Sequence, residues 1–279
     1  TEQSMIVTGL RGVGKTVLLG EFRKQSLSAS WVVVEIEVHK NDDDAFRRQI
    51  AAATRTALFE MSPRARWDDR MNRAASVLKS FTVTIESSGA MTAGMDVAPA
   101  EGFADHGDLS LDLTDLLIAV GEAAKSRERG LVLLLDEVQF LGRRQLEALI
   151  TALHKVVQRS LPLTLVAAGL PQIAELAGDA KSYAERLFTF PRIGFLEADD
   201  AREALAVPAG EEGATFHDDA LDLALEVTDG YPYFLQQLGY ATWPVASDGV
   251  ISRDDVAAVI PIYESKLDSS FFRVRLDRS

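Results

Sequence analysis

The residues best suited to chemistry stand near the start of the chain. Gly9-Leu10-Arg11-Gly12-Val13-Gly14-Lys15-Thr16 reads as a glycine, four residues, then Gly-Lys-Thr. That spacing suits a polyphosphate. The glycines let the backbone turn so that successive N–H groups point inward at one anion. A helix beginning at Lys15 adds the positive end of its dipole. Lys15 then reaches the β- and γ-phosphates, and the Thr16 hydroxyl ligates magnesium; Val17, next on the helix, belongs to the same binding set. The second group is Leu131-Val132-Leu133-Leu134-Leu135-Asp136-Glu137, an apolar strand ending in two carboxylates. Asp136 at the C-terminal edge of a sheet is placed to hold the metal. Glu137, one residue further, is placed to polarise an attacking water as general base. The expected ligands are ATP and Mg2+, and the expected reaction is hydrolysis of the terminal phosphate. A guanine-reading Asn-Lys-x-Asp string is lacking, since His39-Lys40-Asn41-Asp42 has the wrong order and position. A small-molecule kinase would not need Glu137.

Those side chains need a scaffold, and the hydrophobic pattern supplies one. Residues 4–8 read as a short buried strand and 15–24 as the helix after the glycine-rich turn. Residues 31–38 are β-branched and strand-like. Asp42, Asp43 and Asp44 N-cap a helix over 45–60, and another covers 67–78. Residues 81–97 alternate with period two around Ser87-Ser88-Gly89, which predicts an inserted β-hairpin. A helix over 111–125 precedes the wholly apolar strand 131–135, a pattern that suits a parallel strand covered on both faces. Helix 143–160, strand 163–168, a short helix and strand 188–193 complete an alternating βα series; Pro191 weakens the last strand. From residue 198 the pattern is helical only, over 200–206, 218–228, 231–242 and 253–267, with Pro261 able to kink the last. The expected fold is α/β: a parallel, doubly wound P-loop core over 1–196 with helices on both faces, then a smaller all-α lid over 197–279.

Composition narrows the class further. The chain has 279 residues, 47% of them hydrophobic, and no cysteine, which removes disulfides, thiol catalysis and cysteine-ligated zinc. No apolar run approaches the roughly 18 residues that cross a bilayer, and no signal peptide is visible, so the expected location is the cytoplasm. The formal charge of −13 argues against strong non-specific nucleic-acid binding. The four histidines are scattered without metal-ligand spacing. The chain starts without Met almost on its first strand, and Ser270-Phe271-Phe272-Arg273-Val274-Arg275 brings no terminating element, so it reads as trimmed.

With these residues in view, the chain resembles the AAA+ ATPases, and most of all their prokaryotic origin-recognition-complex-like and STAND-type branch. The glycine-rich loop, Leu135-Asp136-Glu137-Val138-Gln139-Phe140-Leu141 and Thr228-Asp229-Gly230-Tyr231-Pro232-Tyr233-Phe234 carry the resemblance over nearly the whole chain. It implies a nucleotide-driven switch that acts on a protein or DNA partner, with a nucleotide-dependent homo-oligomer as one form. It also implies two further site residues. Arg186, ahead of the fifth strand, would stabilise γ-phosphate charge in cis or across a subunit interface, and Pro232 would pack against the adenine. Similar proteins carry a polar sensor after the fourth strand; here Gly169-Leu170-Pro171 follows, and Gln172 is the nearest candidate. They also carry an adenine-binding segment before the first strand, and many continue into a winged helix. A scaffold that holds ATP with little or no hydrolysis is the alternative reading, and a DNA-associated initiator-type ATPase another.

Overall fold

The computed structural model describes residues 3–40, 42–83, 92–182, 184–246 and 249–268. The chain divides into two compact units, one of residues 1–9 and 15–192, the other of residues 10–14 and 193–279.

The first unit is built on β1 (Ser4–Thr8), β2 (Val32–Glu37), β3 (Leu131–Asp136), β4 (Leu163–Gly169) and β5 (Phe188–Thr189). They form one parallel sheet in the order β2-β3-β4-β1-β5. Its helices are α1 (Lys15–Ser28), α2 (Asp43–Met61), α3 (Asp69–Val83), α4 (Leu109–Ser126), α5 (Arg143–Gln158), α6 (Ile173–Ala180) and α7 (Ala184–Leu187). The central strand β3 shows why the order is possible. Leu131, Leu133 and Leu135 enter one core cluster, while Val132 and Leu134 enter a second with Leu19, Val166 and Ala168. A strand buried on both faces cannot alternate apolar with polar residues, and this one does not. Burial of each such side chain contributes about 1.5–3 kcal/mol. The edge strand β2 alternates instead, with Val32, Val34 and Ile36 buried and Glu35 and Glu37 exposed.

Local signals set several boundaries. Asp42 accepts from the Ala45 N–H at 2.8 Å and caps α2; Asp108 does the same for Leu111 at 3.0 Å at the start of α4. The expectation of a hairpin over 81–97 is corrected where it can be seen. Phe81, Thr82 and Val83 form the last turn of α3, and Thr92–Met95 make a short helical turn; residues 84–91 lie outside the described residues. Met71, Ala74, Ala75, Leu78 and Phe81 are all buried at helical spacing, so the longer period running up from the helix overrides the short alternation. Strand β5 is also shorter than expected. It stops at Thr189 because Pro191 has no N–H to give, although a single bridge still joins Thr8 to Arg192.

The second unit contains α8 (Ala198–Glu211), α9 (Asp218–Thr228), α10 (Pro232–Thr242) and α11 (Arg253–Leu267). The expectation of helices alone needs one amendment: β6 (Thr215–Phe216) and β7 (Val250–Ile251) pair in parallel beside them. Pro208 and Pro261 are both accommodated inside helices, so α8 outruns its expected end and α11 is not split. The core of this unit is drawn from Leu205, Leu235, Leu238, Val256, Val259 and their neighbours. Among the described residues no helix is long and apolar enough to cross a membrane.

Candidate nucleotide site

The loop after β1 has the backbone its sequence demands. Gly12 and Gly14 take φ values of +82° and +90°, a region that side chains other than glycine rarely enter. Helix α1 begins at Lys15, directly after Gly14 in the chain, and carries the positive end of its dipole at that terminus. Gly9 donates its N–H to the Gly169 carbonyl at 3.3 Å, which ties the first loop residue to the end of β4. The Lys15 ammonium, buried, donates to the Gly9 carbonyl at 3.1 Å. Leu10, Arg11, Gly12, Val13 and Gly14 group with the helical unit. There the Tyr231 hydroxyl donates to the Arg11 carbonyl, and the Tyr233 N–H donates to the Gly12 carbonyl at 3.1 Å. Pro232 sits between them at the first position of α10.

The two halves read from the sequence meet at Thr16 and Asp136. The Thr16 hydroxyl donates to Asp136 Oδ2 at 2.6 Å, across 120 positions of sequence. Two hard oxygens this close are the kind of pair that shares a magnesium ion, which keeps water and phosphate oxygens for its remaining positions. Among the described residues no group of three His, Cys, Asp or Glu could hold a metal without such help. The donor set therefore fits magnesium bound together with a nucleotide.

Glu137 occupies an unusual backbone. Its φ of +58° and ψ of +37° put a non-glycine residue in the left-handed region, which costs about 1–3 kcal/mol and survives only where neighbours enforce it. The enforcement is visible: Asp136 Oδ1 accepts the Glu137 N–H at 2.8 Å, and the Glu137 carbonyl accepts from the Phe140 N–H at 3.0 Å. On the same turn Gln139 Nε2 donates to Glu137 Oε2. The same amide's Oε1 accepts from the Leu170 N–H at 3.1 Å.

Not every expected residue is brought to this place. Gln172 is exposed at the N-cap position of α6, and the polar side chain that meets the end of β4 is Gln139. Arg186 lies just before β5, whose Phe188 pairs with Ser4 at the start of β1. The phosphate loop follows the other end of that strand, about 13 Å further along at some 3.3 Å per residue. The Arg186 carbonyl accepts from Gln3 there. The Arg186 backbone is thus at the end of β1 away from the loop. Arg192, whose backbone is bridged to Thr8, lies at the loop end of β1. Sequence reasoning missed both Gln139 and Arg192, although Gln139 was visible as the glutamine two places after Glu137.

Residues 1–166 match the family described as AAA ATPase domain. A comparison with curated protein sequences gave no match. Among solved structures the chain is similar to the Walker-type ATPase PABY2304 of Pyrococcus abyssi, with a TM-score of 0.57 at 15% identity over 98% of this chain and 71% of that one. It is similar to Cdc6p from Pyrobaculum aerophilum (0.51, 14%, covering 87% and 55%) and to a RuvB variant from Thermotoga maritima (0.50, 14%, covering 93% and 62%). The chain spans less than two thirds of the latter two proteins. At such identities these likenesses speak to the fold, a P-loop core of parallel strands and flanking helices. With the family match over more than half its length and Thr16 hydrogen-bonded to Asp136, the chain belongs to the AAA ATPase domain family of nucleotide-binding P-loop ATPases.

Proposed function

We propose that the chain binds ATP with magnesium and hydrolyses it, and that its nucleotide state is passed to a macromolecular partner. The observation that carries this reading is the 2.6 Å approach of Thr16 to Asp136 beside a glutamate held on a left-handed turn. The loop Gly9–Thr16 would take the phosphates, with the Lys15 ammonium moving from the Gly9 carbonyl to the β- and γ-oxygens. Val17 stands on the next residue of α1, and Pro232 would contact the adenine. Thr16 and Asp136 would hold magnesium, which neutralises charge on the phosphate oxygens when bound. Glu137 would take a proton from the attacking water. Arg186 would stabilise γ-phosphate charge, in cis or across a subunit interface. The partner is a protein or DNA, the latter disfavoured by the charge of −13; the cytoplasm is the proposed location.

Phosphate release from ATP with magnesium tests the reading, with the native chain compared against Lys15→Ala and Glu137→Gln. Turnover by the native chain alone, with Glu137→Gln still binding ATP, is the expected result. A second reading, an ATP-holding scaffold, is favoured by the apolar Gly169-Leu170-Pro171 after β4. Equal, negligible phosphate release from all three proteins, with ATP binding lost only in Lys15→Ala, would establish it.

A further inference from the structure

Gln139 does more than decorate the turn after β3. Its single amide faces two ways, with Nε2 donating to Glu137 Oε2 and Oε1 accepting the Leu170 N–H at 3.1 Å. A primary amide is the side chain that offers a donor and an acceptor on one planar head. The residue before Leu170 makes room for it. A Cβ on Gly169 would stand 2.8 Å from Val138 Cγ2, closer than real side chains come, and a tight 3.1 Å from Gln139 Oε1. Gly169 is also where the phosphate loop is tethered, since its carbonyl accepts from Gly9, and Gly9 in turn accepts from Lys15 Nζ. The contacts run without a gap from Lys15 through Gly9, Gly169 and Leu170 to Gln139 and Glu137.

We propose that Gln139 is the positioning residue for hydrolysis, holding the Glu137 carboxylate against the end of β4 and coupling it to the lysine that meets the phosphates. The inference rests on reading Glu137 as the general base. The bond uses Oε2 and leaves Oε1 as the oxygen to take a proton from water. When Lys15 leaves the Gly9 carbonyl for a phosphate, the change reaches Glu137 through backbone groups and one amide. The polar contact expected from beyond β4 is thereby supplied from the β3 side. Displacement of a catalytic group by 1 Å costs about 100-fold in rate, so loss of this restraint should be visible in kcat while ATP binding, which Gln139 does not touch, is kept.

Two substitutions separate positioning from plain structure. Gln139→Glu keeps an acceptor for Leu170 but sets a second carboxylate against Glu137; Gln139→Met removes both bonds. Steady-state ATP turnover and amide hydrogen exchange at Leu170 are measured on each, beside native chain and Glu137→Gln. The expected result is a fall in kcat of about 10- to 100-fold in both variants with KM within about threefold of native. Leu170 exchange should accelerate in Gln139→Met only. Native kcat in Gln139→Glu with Leu170 still protected would overturn the proposal and leave Gln139 as a tie between turn and strand. Weakened ATP binding in Gln139→Glu would overturn it as well. A native chain no faster than Glu137→Gln would instead sink the general-base reading, and the inference with it.

Discussion

Removing one half of the Arg47–Asp112 pair should unfold the first unit more readily than almost any other polar substitution. Arg47 on α2 and Asp112 on α4 meet at 2.6 Å with side chains only 6% and 0% exposed. The Asp112 carboxylate has a second support, the His106 N–H at 2.9 Å. Arg47 is less well served: its guanidinium lies 4.9 Å from the Phe81 ring centre, and its Nη1 has no hydrogen-bond partner among the described residues. Deleting either partner leaves an uncompensated buried charge, at about 3–5 kcal/mol. Asp112→Ala should sit at the upper end, because a guanidinium cannot shed its proton. Arg47→Met should sit lower, since Asp112 retains the His106 N–H. The double variant Arg47→Met/Asp112→Leu buries no charge and should cost much less than the two singles together, with a coupling of at least about 2 kcal/mol. Urea unfolding followed by tryptophan fluorescence gives these numbers. In a Trp243→Phe background the remaining Trp31 and Trp67 both report on the first unit. Single variants that each cost under about 1 kcal/mol, or a double that equals their sum, would show that the pair is not the desolvated clamp the geometry describes.

Two further outcomes follow from particular residues. Gly12→Ala should abolish ATP binding measured by calorimetry: φ is +82°, and the new Cβ would stand 3.0 Å from both the Tyr231 hydroxyl and Tyr233 Cβ. Native ATP affinity in that variant would mean the loop does not keep this backbone when it binds. His106 should make stability fall with rising pH. The hydrogen bond to Asp115 raises its pKa above the usual 6.5; burial opposes this, and the charges of Asp115, Asp112 and Asp105 add to it. A raised folded-state pKa contributes stability that is complete below pH 6.5 and is lost as pH climbs through the folded value. A melting-temperature profile across that window should therefore decline for the native chain and flatten in His106→Gln.

What could be read from the sequence was whatever depends on neighbours along the chain. The phosphate loop, the cap at Asp42 and the buried strand ending in Asp136 and Glu137 are local patterns. Each fixes its own backbone or burial before any partner arrives. Residues 81–83 show the limit of local reading. Their alternation was genuine, but the apolar stripe running from Met71 to Phe81 had a neighbouring helix to bury against, and packing decided in favour of α3.

Which side chains meet was the work of the tertiary structure. Thr16 and Asp136 are 120 positions apart and touch because a single strand, β4, lies between β1 and β3 in the sheet. Parallel register puts the Arg186 backbone at the end of β1 away from the loop and that of Arg192 at the loop end, a distinction that no spacing in the chain records. Gln139 was in plain view beside Glu137, but its link to β4 needed a glycine at position 169 brought alongside by strand pairing. Sequence determined the chemistry available; the sheet determined which groups stand close enough to use it, because hydrogen bonds are decided by ångströms and strand order sets those ångströms.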